Sequence, residues 1–177
     1  MSQVTYQIDP AHSAAHFSVR HMMISNVRGE FTKVSGTVKI DADNPQNSSV
    51  EALIDTASIN TNEAQRDAHL KSADFFDVEK YPEIAFRSNA VEAEDGELKV
   101  KGELTIHGVT REVTLTVEGP TPEAKDPWGN QRIGATATTK INRKDFGLGW
   151  NVALEAGGVL VGEDIKISID LEALRQA

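Results

Sequence analysis

Five stretches of the chain alternate apolar and polar residues with a period of two, and this repetition restricts the fold more than any other feature. Val34, Gly36, Val38 and Ile40 alternate with Ser35, Thr37 and Lys39. The pattern returns at Leu98, Val100, Gly102, Leu104 and Ile106, at Val113, Leu115 and Val117, at Ile133 through Ile141, and at Ile165 through Leu171. Successive side chains of a strand point to opposite faces, so each run is a strand with one apolar and one polar face. Turn chemistry separates the runs: "DADNPQN" from Asp41, "EDGE" from Glu94, "HGVT" from His107 and "DPWGNQ" from Asp126. Gly, Asn, Asp and Pro supply the backbone angles that reversals need. Consecutive antiparallel strands, about eight or nine of them, therefore form a meander. With no second set of helices to cover a face, the economical solution is a sheet closed on itself, because closure removes sticky edges. A barrel of about eight strands can hold one small ligand.

One segment breaks the alternation. "NTNEAQRDAHLKSADFF" offers Asn60, Thr61 and Asn62 as N-caps, an early Glu63 suited to the positive end of a helix dipole, and good helix formers through Leu70. It predicts a short helical insert around residues 62–76, with a second turn near Ser72 to Phe76 and an extended restart at Pro82. "GPTPEAKDP" from Gly119 reads as a long mobile loop, too short to separate domains, so residues 1–177 are expected to form a single domain.

Composition excludes several function classes. No apolar run approaches the roughly 20 residues of a membrane helix, so no stable membrane insertion is expected. A net charge of −9 disfavours nucleic acid and anionic membrane surfaces, where binding rests on Lys and Arg. The absence of cysteine removes disulfides, thiolate catalysis and cysteine metal sites. "MSQVTYQIDP" lacks a basic stretch followed by an apolar one, which points to a cytoplasmic protein.

Two polar clusters invite a chemical reading. Three of the five histidines, His12, His16 and His21, fall in "DPAHSAAHFSVRHMM". As a strand, this segment puts His12 and His16 on one face about 13 Å apart at about 3.3 Å per residue, and His21 on the other. Zinc requires nitrogens at about 2.0 to 2.1 Å, so a strand cannot chelate with them, whereas a helix could pair His12 with His16. Periodicity alone leaves both readings open. The second cluster gathers Arg66, Asp67, His69 and Asp74, and a hydrolase reading makes His69 a base oriented by Asp67. No G-x-S-x-G, H-E-x-x-H or paired-carboxylate motif accompanies it, and Arg66 and Asp67 are better read as pinning the helix to the barrel rim.

Taken in order, "IDPAHSAAHFSVRH", "GEF", "SINTNEAQRDAHLKSADFFDVEKYPEIAFRS", "GELTIHGVTREVTL", "DPWGNQRIG" and "INRKDFGLG" give the chain a family likeness. From Tyr6 to Leu171 it resembles the YceI-like family of bacterial lipocalin-like barrels, with "RDAHLKSADFFDVEKYP" the most specific element. The resemblance implies an all-β, extended antiparallel β-barrel whose elongated apolar pore binds a polyisoprenoid chain. It implies roles in transport, storage or sequestration, no established catalytic activity, and a homodimer; no metal or other cofactor is expected. Many relatives carry a signal peptide and work in the periplasm, whereas "MSQVTYQIDP" does not read as such a leader and a cytoplasmic location is expected here. It also makes the His12 to His21 segment a barrel strand, with His21 on the side of Phe17 and Val19.

On this footing, the expected wall around an isoprenoid tail is Phe17, Val19, Phe31, Phe75, Phe76, Phe86, Ile106, Phe146 and Trp150. His21 and Arg143 are donors at the ends of apolar strand faces, and so candidates for a polyprenyl phosphate or quinone head group. Two other readings compete with this carrier: a His/Asp-dependent or metal-assisted hydrolase, and a stress-related module that docks to a redox partner.

Overall fold

The structure, a computed structural model, describes residues 3–151, 154 and 160–176. Its strands are β1 (Gln3–Ile8), β2 (Ala14–His21), β3 (Ser25–Phe31), β4 (Val34–Asp41), β5 (Ser49–Asp55), β6 (Ile59–Asn60), β7 (Glu83–Glu94), β8 (Glu97–Ile106), β9 (Val109–Glu118), β10 (Ala124–Lys125), β11 (Gln131–Asn142) and β12 (Val161–Arg175). Among the described residues one α-helix, α1 (Ala64–Lys71), lies between β6 and β7.

The twelve strands of the described residues belong to one antiparallel sheet that closes into an eight-strand barrel. The pairing order explains how twelve become eight. Along one edge, β12 pairs first with β2 and then with β1; along the other it pairs with β11 from Asn142 back to Arg132. β3 pairs with β2 while β4 pairs with β1, and β6 pairs with β3 while β5 pairs with β4. Thus β1 with β2, β3 with β4, and β5 with β6 are three long strands, each broken once. Taken as single staves, they and β7, β8, β9, β11 and β12 follow one another round the barrel in chain order, the meander that the turn signals predict.

The breaks have local causes. Between β1 and β2, Pro10 opens a short 3-10 turn whose cap is Asp9, a carboxylate accepting from the Ala11 N–H. Between β5 and β6, Asp55 caps a similar turn by accepting from the Ala57 N–H. Helix α1 is shorter than its predicted range and is capped by Glu63, which accepts from the Gln65 and Arg66 N–H groups. Asn60, Thr61 and Asn62 are not its caps. The predicted loop from Gly119 also differs: it contains β10, which pairs with β11, and Thr121 is bonded to Gly134.

Gly36 sits inside β4 at a φ of 140°, a region closed to most L side chains. A Cβ there would collide with the Glu51 carbonyl on β5. The seam near the ends of β1 and β12 is held electrostatically: Arg132 donates to Asp9 at 2.7 Å and to Asp126 at 2.6 Å. The bond from Arg132, helped by one from His12, holds the Asp9 carboxyl down at about 2.

Two outcomes follow from this framework. Gly36→Ala should lower the unfolding free energy by roughly 1 to 3 kcal/mol, read from the urea midpoint at constant slope. Because the folded pKa of Asp9 is depressed, its contribution is complete above the ordinary value of 3.8 and is lost as pH falls towards about 2. The stability gap between the native chain and Asp9→Asn, measured in urea at a series of pH values, should therefore close across that window.

Candidate functional site: an apolar cavity through the barrel

The inward faces of the staves do not meet. They surround a cavity of about 600 Å³ whose wall is the apolar half of the alternating runs: Leu98, Val100, Leu104 and Ile106 on β8, Val113, Leu115 and Val117 on β9, and Ile165, Ile167, Ile169 and Leu171 on β12. At one end the lining reaches Leu70 in α1 and Phe75 and Phe76 just after it; at the other it reaches Gly96 and Glu97 at the β7–β8 turn and Gly119 and Pro120 after β9. The space therefore runs the length of the barrel. Small-molecule sites occupy about 300 to 1,000 Å³, so the volume suits one organic ligand.

Seven of the nine expected wall residues border the cavity: Phe17, Val19, Phe31, Phe75, Phe76, Phe86 and Ile106. Their rings pack as a chain, with Phe17 to Phe31 and Phe31 to Phe76 both at 5.6 Å between centroids. Gly102 on β8 leaves room for both the backbone of β7 and the Phe86 ring; a Cβ there would collide with the Arg87 carbonyl and stand 2.6 Å from the ring. The other two residues lie elsewhere. Phe146, 1% exposed, is packed into the core in the 3-10 turn after β11, outside the described lining. Trp150 forms a layer behind the wall, its ring 5.2 Å from that of Phe75 and 4.7 Å from that of His69.

The two expected head-group donors also differ from expectation. His21 is the last residue of β2, paired with Ser25 and Val161, and is outside the described lining. Arg143 does border the cavity, yet it is 2% exposed and its guanidinium is committed to backbone. Nε donates to the Gly162 carbonyl, Nη1 to those of Leu148 and Trp150, and Nη2 to that of Val161. It thus clasps both flanks of the segment between the 3-10 turn and β12, and burial pulls its pKa below the ordinary arginine value. Nothing in the local sequence distinguishes so buried an arginine from a surface one.

Sequence reasoning missed two sets of lining residues. Ala15, Ala52 and Ala137 keep the wall thin at their positions, and of these only Ala137 falls in an alternating run that the sequence displays plainly. Lys39, Asp41, Ser48, Ser49 and Glu97 form a polar margin at the end opposite α1. Their signal was only their position beside turns. Asp41 has a structural task there, accepting from the N–H groups of Asp43 and Asn44.

The remaining polar clusters resolve into local structure. Asp67 accepts from the backbone N–H and hydroxyl of Thr61, and Arg66 donates to the Thr61 hydroxyl and carbonyl. Asp67 is therefore spent on Thr61, and His69 instead faces Asp74 at 2.9 Å. His12 lies in the 3-10 turn, 2.8 Å from Asp9, while His16 lies on β2 between Glu30 and Asp170. The group Asp9, His12 and Glu172 converges closely enough for a cation, but the guanidinium of Arg132 already stands 2.7 Å from Asp9 and 3.4 Å from Glu172.

The comparison with known families matches residues 6–173 to the YceI-like domain. The chain belongs to the YceI-like family. Its relatives include a UPF0312 protein of Vibrio cholerae, 41% identical over 81% of this chain and 77% of that one, and a UPF0312 protein of Staphylococcus aureus, 38% identical over 94% and 95%. Among solved structures, Burkholderia cenocepacia BcnA is similar with a TM-score of 0.77 and 25% identity, over 93% of this chain and 98% of that one. A polyisoprenoid binding domain from Saccharophagus degradans shares the fold, with a TM-score of 0.70 and 16% identity over 98% and 99%.

The clasp makes a strong demand on one side chain. Arg143→Leu removes the side-chain donor from the carbonyls of Leu148, Trp150 and Gly162, while that of Val161 keeps the Asn151 amide, and should cost about 3 kcal/mol, measured as a fall in thermal unfolding temperature. Arg143→Lys should recover only part of this loss, since a single ammonium cannot reproduce the planar fork.

Proposed function

We propose that the chain is a non-enzymatic binder of a long, isoprenoid-type lipid, which it holds along the barrel axis for transport, storage or sequestration. The observation that carries this reading is the cavity itself: about 600 Å³, extending from α1 to the opposite turns, with walls of aliphatic and aromatic side chains. Each CH₂ group buried there contributes roughly 0.8 kcal/mol, so an extended prenyl chain needs few polar contacts for affinity. Phe17, Val19, Phe31, Phe75, Phe76, Phe86 and Ile106 are the proposed tail contacts. The description of the Saccharophagus degradans relative as a polyisoprenoid binding domain supports the same ligand class.

A polar head, phosphate or quinone, belongs at the polar margin formed by Lys39, Ser48 and Ser49 rather than beside Arg143, whose donors serve the backbone. The local commitments of Asp67, His69 and Asp74 support a binder over a hydrolase.

Native mass spectrometry with added polyprenyl phosphate tests the reading. The native chain should retain one lipid. Ala137→Trp, which places an indole in the lumen from a buried wall position, should reduce the retained lipid by about tenfold or more while the barrel still folds. Absence of lipid on the native chain, or equal loading of the variant, would overturn the proposal.

A further inference from the structure

Three tight reversals among the described residues have two successive residues at positive φ, and one of them breaks the rule the others obey. Asp95-Gly96 has φ of 51° and 79°, and His107-Gly108 has 56° and 73°, each with glycine in the second place. Between β2 and β3 the same geometry is taken by Met22-Met23, at 52° and 61°. Asn-Gly or Asp-Gly would suit such a turn better, since unbranched apolar side chains gain nothing from a left-handed backbone. The turn is nevertheless well made: the Ile24 N–H donates to the His21 carbonyl, the Met22 N–H to the Leu160 carbonyl, and Arg20 Nη2 to the Met23 carbonyl at 2.8 Å. Its side chains face solvent, with Met22 43%, Met23 56% and Ile24 75% exposed.

Charge singles out the same hairpin. The chain has 27 Asp and Glu and a net charge of −9, yet no carboxylate occurs between Asp9 and Glu30, where Arg20, Arg28 and three histidines lie. The hairpin is thus an acid-free finger on an acidic protein, with three apolar residues at its tip and two arginines below them. It is also continuous with the cavity: Val19 lines the lumen, and Val161, paired with His21, lines it too.

We propose that the Met22-Met23-Ile24 tip is a membrane-docking finger that seats the α1 end of the barrel on a lipid bilayer. The apolar tip enters the interface between headgroups and acyl chains, while Arg20 and Arg28 meet phosphate oxygens. The choice of a bilayer rests on the lipid-binding reading above, because a cargo of that class resides in membranes. The contact is shallow and reversible, since three side chains anchor far less than a spanning segment.

Flotation of the full chain with vesicles of phosphatidylcholine containing roughly one fifth phosphatidylglycerol tests this. The native chain should rise with the vesicles. The double variant Met22→Asn/Met23→Gly should melt at a higher temperature yet partition about tenfold or more weakly, opposite signs that exclude unfolding as the cause. Ile24→Ser should weaken partition in the same direction. A native chain that stays below the vesicles, or variants that float equally well, would overturn the proposal. So would a change of molar mass in the variants without vesicles and without flotation of the native chain, which would make the tip a contact between copies. Loading the barrel with lipid from detergent separates the two readings: loading without flotation sinks only the docking finger, and flotation without loading sinks the carrier.

Discussion

The structure depends on a single strand being bonded along both edges. A sheet normally ends in two rows of unpaired N–H and C=O groups, which must be covered or blunted. Here β12 accepts β11 along one side and the consecutive strands β2 and β1 along the other, so the first and last parts of the chain close the ring. Arg132, on β11, reaches Asp9 at the end of β1 and Glu172 on β12, placing charge-assisted bonds across this junction. With closure secured by the backbone ladder, the interior is released from the task of holding two layers together. That release is what allows a lumen.

The breaks in the first three staves follow from the same constraint. An eight-strand barrel has tilted staves, and long strands must bend to stay in register around it. Pro10 and the carboxylate caps Asp9 and Asp55 make two of those bends with short 3-10 turns, so each stave keeps its pairing on both sides of the break. At the α1 end, the segment from Thr61 onward is tied down by Arg66 and Asp67, and Phe75 and Phe76 extend the aromatic row begun by Phe17 and Phe31. The helix contributes less through its own faces, none of whose residues is fully buried, than through the aromatic residues that follow it.

Much of this was legible from period-two alternation, because a strand that is apolar on one side reports its inward face directly. Leu98, Val100, Leu104 and Ile106 fall on the cavity wall in the order the sequence has them. The chain order of the staves was legible too, since short turns permit only neighbours. What was not legible depends on contacts distant in sequence. Arg143 is identified as a backbone clasp only by carbonyls gathered from Leu148 to Gly162, and Phe146 and Trp150 by which layer their elements join. The pairing of His69 with Asp74 rather than Asp67 is decided by Thr61, whose two donors reach Asp67 first. For His12 and His16, periodicity was ambiguous because Pro10 to His12 is neither strand nor α-helix.

The lumen is more than a failure of packing. Protein interiors are normally as dense as organic crystals, and at about 24 cal/mol per Å³ even half of this volume as a dry void would forfeit several kcal/mol, comparable to the whole net stability of a small domain. The wall could have been thickened cheaply. Ala15, Ala52 and Ala137 face the space, and any of them as leucine or phenylalanine would fill part of it without disturbing the ladder. Gly102 does the reverse, standing aside so that Phe86 lies along the wall. Small residues where large ones would stabilise, and an aromatic row at one end where polar side chains would have sealed the barrel more simply, are the choices of a chain that keeps its interior for a guest.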